Sequence, residues 1–314
     1  MDDTRISRRE SIKKLLKISG GLALGSVVSG TGPCPGLGIA ETKKEGFLVE
    51  GIGESDGYAV KTLVRNVFEA AGGMKTFIAR GDVVVIKPNL SWARAPHLAA
   101  TTNPEVLEAV IELCQEAGAK KVRIVDNTIH NARRCFAITG VGKVVENTGA
   151  DLVFPRSSMM RERNLHGHRL SVWEVFVPFI EADKVINLPI AKHHNLSGLS
   201  LGMKNWIGAV GGRRNALHQD IHQVIVDLAQ YFKPTLTLID AIRIMIHNGP
   251  SGGRESDVAI KNRLILSNDP VAADAKAAAL FDIQPEKIGF IQLADKWGLG
   301  THDLNRLTQQ SVTL

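Results

Sequence analysis

In Asp82-Val83-Val84-Val85-Ile86 four β-branched residues follow one another before Lys87-Pro88 halts the run, and the same design recurs along the chain. Such side chains fit a pleated strand, and an unbroken apolar run is what a strand buried on both faces requires. Val122 to Val125, Leu152 to Phe154, Lys184 to Leu188, Thr235 to Ile239 and Arg263 to Ser267 continue the series. Helical patterns lie between these strands. Thr101-Thr102-Asn103-Pro104-Glu105 supplies a cap and a first-turn proline for a helix reaching about Ala117. Further helices are predicted near Val141 to Asn147, Asp220 to Tyr231 and Pro270 to Leu280, with Asp269 as the cap of the last. Short buried strands alternating with helices predict an α/β fold: a mostly parallel or mixed sheet with covering helices. Residues 41–314 read as a single domain, with a bilobal arrangement of about 41–180 and 181–314 as the variant of that reading.

The first 40 residues read as an address. Ser7-Arg8-Arg9-Glu10-Ser11-Ile12-Lys13 has the pattern of a twin-arginine export signal, followed by an uncharged stretch from Ile18 to Val28 that is too short for a permanent membrane anchor. Cleavage after Ala40 would leave a periplasmic or extracytoplasmic protein whose first partner is the export machinery; a basic tail on a cytoplasmic protein is the alternative. Residues 1–40 also hold six of the basic and three of the acidic residues, leaving 32 against 29, or +3. So mild an excess argues against nucleic acid as a partner. Only Cys114 and Cys135 follow the signal, too few for an iron–sulfur cluster or a four-cysteine zinc site.

The chemistry concentrates in residues 192–222, KHHNLSGLSLGMKNWIGAVGGRRNALHQDIH, which hold four histidines, four lysines or arginines and one acid. Lys192, Lys204, Arg213 and Arg214 stand among five glycines that allow close backbone approach, a combination suited to a carboxylate, phosphate or other anion. Arg213 and Arg214 also fit a solvated loop. Lys204, between Met203 and Trp206, is expected to be buried, and burial favours its amine form. His218 and His222 stand one helical turn apart. That spacing suits two ligands of a divalent metal, with Asp240 as a third, or equally a hydrogen-bonding role near an anion. Of the adjacent His193 and His194, only one can aim inward from a loop.

Ligands of open α/β sheets gather beyond the carboxyl ends of the strands. Lys87 with Asn89, Asp126 with Asn127, Lys192 to Asn195, and Asp240 are predicted at such ends. The glycine-rich loop from His247 to Gly253 is suited to cover a ligand. Val85 to Leu90, Thr101 to Glu105, Asn187 to His193, Met203-Lys204-Asn205, His218, Asp227-Leu228, Lys233-Pro234, Leu238 to Asp240, Gly249-Pro250 and Asp269 to Asp274 together resemble the successive motifs of a prokaryotic family, domain of unknown function 362. The resemblance covers residues 47 to 300. It implies that Lys87, Asn89, Lys192, His193, Lys204, Asn205, His218, Asp240 and Asp274 belong to recurrent motifs. Many members carry a ferredoxin-like module that this chain lacks.

The expected function is therefore an exported, enzyme-like protein that binds an anionic small molecule. Lys87, Asn89, Lys192, Asn205 and Arg213 would bind it, while His193, Lys204, His218 and Asp240 would move protons or hold a metal. The rival reading is a non-catalytic periplasmic accessory or redox-partner protein, favoured if no acid stands beside the histidines.

Overall fold

The computed structural model describes residues 46–54 and 57–314. The export signal and its cleavage point lie outside the described residues. The strands are β1 (Phe47–Ile52), β2 (Val83–Pro88), β3 (Lys121–Val125), β4 (Asp151–Val153), β5 (Met160–Asn164), β6 (Val172–Phe176), β7 (Lys184–Leu188), β8 (Ile190–His194), β9 (Gly198–Ser200), β10 (Leu236–Met245), β11 (Val258–Ser267) and β12 (Thr308–Thr313). The helices are α1 (Val60–Ala70), α2 (Pro104–Glu116), α3 (Ala132–Ile138), α4 (Val141–Thr148), α5 (Val177–Glu181), α6 (Ile221–Phe232), α7 (Pro270–Ala278) and α8 (Gly289–Lys296). Among the described residues, ten strands form one sheet whose main path runs β12-β1-β11-β10-β7-β2-β3-β4, and β5 and β6 form a separate hairpin. Strands β10, β7, β2, β3 and β4 are mutually parallel, while β11 runs antiparallel to both β10 and β1. The architecture is thus α/β with a mixed sheet.

The unbroken apolar runs follow from burial on two faces. Val84, Ile86, Ile124, Ile186 and Leu238 join a core with α1, α2 and α4, whereas Val85, Val125, Val185 and Ile239 join another with α6, α7 and α8. Alternate residues of each strand therefore belong to opposite layers. Helix ends follow the local chemistry: Asn103 caps α2 by accepting from the Glu105 amide, and Asp269 caps α7 by accepting from Val271 and Ala272.

Two departures from the sequence reading shape the site. Strand β10 continues five residues beyond Asp240, so that carboxylate sits inside a strand rather than at its end. After the stop at Pro189, the chain re-enters extended structure as β8, which pairs with β10 and β9. Residues 192–194 are consequently strand, not loop, and their side chains alternate.

Candidate functional site

A cavity of about 230 Å³ opens between β8, β9, the 3-10 helical segment Met203–Ala209 and the segment around Asn89 to Trp92. Strand alternation directs Lys192 and His194 into its wall, and the cross-strand partner of Lys192, Ser200, joins them. Lys204, Asn205, Ile207, Arg214, His218 and Pro250 complete most of the lining. Among the described residues, no aspartate or glutamate lines this cavity.

The three buried lysines of the neighbourhood differ in their partners. Lys87 is fully buried, forms an ion pair with Asp126 at 2.7 Å and donates to Pro88 O and Asn205 Oδ1. Its charge is balanced and it lies outside the lining. Lys192, 1% exposed, donates to Ala100 O at 2.6 Å and to Asn89 Oδ1 at 3.2 Å. Burial, reinforced by the charge of Lys204, lowers its pKa from 10.5 to about 7. Lys204 is 8% exposed and, among the described residues, has neither a hydrogen-bond nor a salt-bridge partner. Burial alone brings it down to about 7.

A chain of amides fixes this cluster. Asn205 donates to Lys87 O and Asn187 Oδ1 and accepts from Asn89 Nδ2, and Asn187 donates to Gly202 O. Gly208 is required beside it, because a Cβ there would overlap Asp126 Oδ1 and come within 2.8 Å of Lys87 Nζ.

The histidines form a pair of opposite character. His194 Nδ1 accepts from the amides of Leu196 and Ser197, which places the proton of the neutral ring on Nε2. Burial, with help from Lys204, drives its pKa down to about 3, so the ring is neutral at physiological pH. His218 lies parallel to it at 6.2 Å, and its Nδ1 is 3.3 Å from Arg214 O, an arrangement that suits Nδ1–H donation and leaves Nε2 with a lone pair. Burial and then Lys204 lower the His218 pKa too. One ring offers a donor and the other an acceptor.

Several expected roles change with the geometry. His193 shares the strand but not the face of Lys192: its Nδ1 accepts from Gly249, so it anchors the loop that brings Pro250 to the cavity, and His194 takes the inward place. Asp240 has the parity of Leu238 and Ile242, which belong to the opposite core, and it accepts from Asn103 N and Ile242 N. Catalysis or metal binding in the cavity is closed to it. Arg213 faces solvent, and Arg214 lines the cavity, its guanidinium donating to the carbonyls of Asn127 and Thr128. His222 turns toward Phe290, stacked at 6.2 Å, and away from His218. The proposed His218–His222–Asp240 metal set is not assembled, and the described residues contain no group of three or more His, Cys, Asp or Glu able to hold a metal ion.

Sequence reasoning missed His194, Ser200 and Trp92 as lining residues; a strand over residues 190–194 was the signal that would have found the first. Arg214 also borders a larger, more open groove of about 660 Å³ that reaches Arg133 and Arg156.

Fold and site together define an α/β protein with a buried, cation-lined cavity beside the carboxyl ends of its parallel strands. The chain belongs to the family described as domain of unknown function DUF362, which matches residues 84–279. A curated relative, a thylakoid-associated protein of Synechocystis sp., is 29% identical over 246 residues, 75% of this chain and 74% of its own. Two solved structures are similar to it at lower identity. The lactate racemase apoprotein of Thermoanaerobacterium thermosaccharolyticum has a TM-score of 0.45 at 16% identity, over 77% of this chain and 58% of that one. A Thermotoga maritima protein from structural genomics has a TM-score of 0.44 at 11% identity, over 71% and 59%. This chain thus spans less than two thirds of either solved chain.

Proposed function

We propose that the protein is an enzyme that binds a small anionic molecule in the lysine–histidine cavity and transfers protons to or from it. The observation that carries this reading is Lys204: a buried amine without a partner among the described residues, facing a cavity that also holds Lys192 and Arg214 and, among those residues, no carboxylate. Buried cations are normally paired, since leaving one unpaired in a low-dielectric site costs several kcal/mol. A bound anion would supply the missing partner. His194 Nε2–H then provides a hydrogen-bond donor to the bound anion, and His218 Nε2 an acceptor for proton transfer.

Isothermal calorimetry with a panel of small carboxylates and phosphates tests this, with Lys204→Met as the control. Absence of binding by the whole panel would refute it. The lack of an acid beside the histidines favours a second reading, in which the cavity holds an anion without turning it over. Solvent-deuterium exchange into a bound carboxylate separates the two, since only the enzyme exchanges protons. We also carry forward the twin-arginine signal and an extracytoplasmic site of action; cell fractionation with Arg8 and Arg9 both replaced by lysine tests that placement.

A further inference from the structure

We propose that Lys204 is a nucleophile that forms a Schiff base with the carbonyl carbon of a small 2-oxo acid held in the cavity. The proposal rests on the anion-binding reading of the same site and names its substrate class.

The comparison among the three buried lysines leads to it. Lys87 is held by Asp126, Pro88 O and Asn205, and Lys192 by Ala100 O and Asn89. In both, the amine is already engaged as a hydrogen-bond donor. Lys204 has neither kind of partner among the described residues, although its segment is rigidly seated: Asp274 accepts from Gly202 N at 2.6 Å and Met203 N at 2.9 Å, and Asn205 is tied to Lys87 O. A structural cation would be paired; a nucleophilic amine needs a free lone pair and a fixed approach. Burial supplies the lone pair, because with a pKa of about 7 roughly half of the side chain is neutral amine at neutral pH.

The same lining dictates the electrophile. Lys192 and Arg214 attract a carboxylate, while Lys204 calls for a carbonyl carbon close to it within a cavity of about 230 Å³. A 2-oxo acid places the two groups on adjacent carbons. In the reaction, the Lys204 Nζ lone pair forms a bond to the carbonyl carbon and the C=O π pair moves to oxygen. The nitrogen loses one proton, the oxygen gains two and leaves as water, and the C=N bond closes to give a protonated imine. The net equation consumes one proton from solvent and no oxidant or reductant. His218, with its Nε2 lone pair, lines the same cavity and can accept the amine's proton, while the neutral His194 ring can hydrogen-bond the departing oxygen through Nε2–H as solvent supplies its second proton.

Full-length protein incubated with pyruvate and borohydride should gain the mass of one reduced pyruvate adduct, mapped by peptide mass spectrometry to Lys204. Lys204→Arg, which keeps a cation and removes the nucleophile, should form no adduct. Calorimetry with pyruvate and with propionate, which lacks the carbonyl, reads binding separately. Binding of both acids without an adduct, or with the adduct on another lysine, overturns the Schiff base and leaves the anion site standing. Binding of neither overturns both.

Discussion

Replacing Lys204 by methionine should make the unliganded protein more stable while removing its affinity for anions. Lys204 falls from an ordinary pKa of 10.5 to about 7 because it is buried without a partner. At about 1.36 kcal/mol per tenfold change in proton affinity, keeping this side chain in the folded state costs roughly 4 kcal/mol at pH 7. Methionine fills a similar volume without the charge. Relaxation and water entry lessen the realised cost, so a gain of about 2 kcal/mol is expected. The sign of the pH dependence is fixed. A lowered lysine pKa means that the unfolded chain binds more protons between about pH 7 and pH 10.5. Wild-type stability therefore rises with pH across that window, by up to about 1.4 kcal/mol per pH unit for this group. The variant loses that slope, and its advantage shrinks as pH approaches 10.5. Lys192, released from the charge of Lys204, adds to the gain near pH 7. Equilibrium urea unfolding from pH 6.5 to 9.5 measures the difference directly. A variant no more stable than wild type at pH 7, with an unchanged slope, would show that Lys204 is solvated or paired and would remove the basis of the anion site.

Asp274, raised to about 7 by burial, contributes stability that is full below about pH 3.8 and lost as pH rises through 7. Asp274→Asn should flatten that slope by about one proton, read by urea unfolding at pH values from about 4 to 7. Lys87→Met leaves Asp126 buried and unpaired and should cost about 3–5 kcal/mol, with Lys87→Met/Asp126→Leu recovering most of the loss in denaturant midpoint. Gly208→Ala, whose Cβ meets both members of that pair, should lower stability by about 1–3 kcal/mol, seen as a reduced Tm. His222→Ala should leave anion affinity unchanged in calorimetry, since His222 turns to Phe290; a tenfold loss would show that it reaches the ligand.

The layered α/β architecture was legible because a run such as Val83 to Ile86 has no polar face, and only a sheet covered on both sides accepts it. Helix starts at Pro104 and Pro270 were equally readable, since a cap followed by proline is a local signal. Parity was not. Asp240 follows a strand-like run, yet whether it faces the cavity or the opposite core depends on where β10 begins and continues, which its neighbours β7 and β11 decide. His193 and His194 pose the same problem one residue apart: a strand resolves it by alternation, and the strand exists because β8 pairs with both β10 and β9. The hairpin β5–β6 also escaped, since Arg161, Glu162 and Arg163 give it no apolar run.

The fate of the acids explains why lysines and glycines carried more information than carboxylates. Asp126 accepts from Leu90 N and pairs with Lys87, Asp227 accepts from the amides of His168, Arg169 and Leu170, Asp240 seats Asn103, and Asp274 seats Gly202 and Met203. Each is buried, and Asp126, Asp240 and Asp274 fix backbone that carries or adjoins the site. Their negative charge is thereby met by amides or by Lys87, which leaves Lys192, Lys204 and Arg214 uncompensated on the cavity side. The empty cavity is consequently less stable than its occupied form, and an anion that returns Lys192 and Lys204 to full protonation takes up protons as it binds. Affinity should therefore be greatest below about pH 7 and fall above it, by up to about tenfold per pH unit for each proton taken up. Thermal shifts by a bound carboxylate measured at pH 6.5 and at pH 9 read this out, and equal shifts at both would mean that the lysines do not meet the ligand.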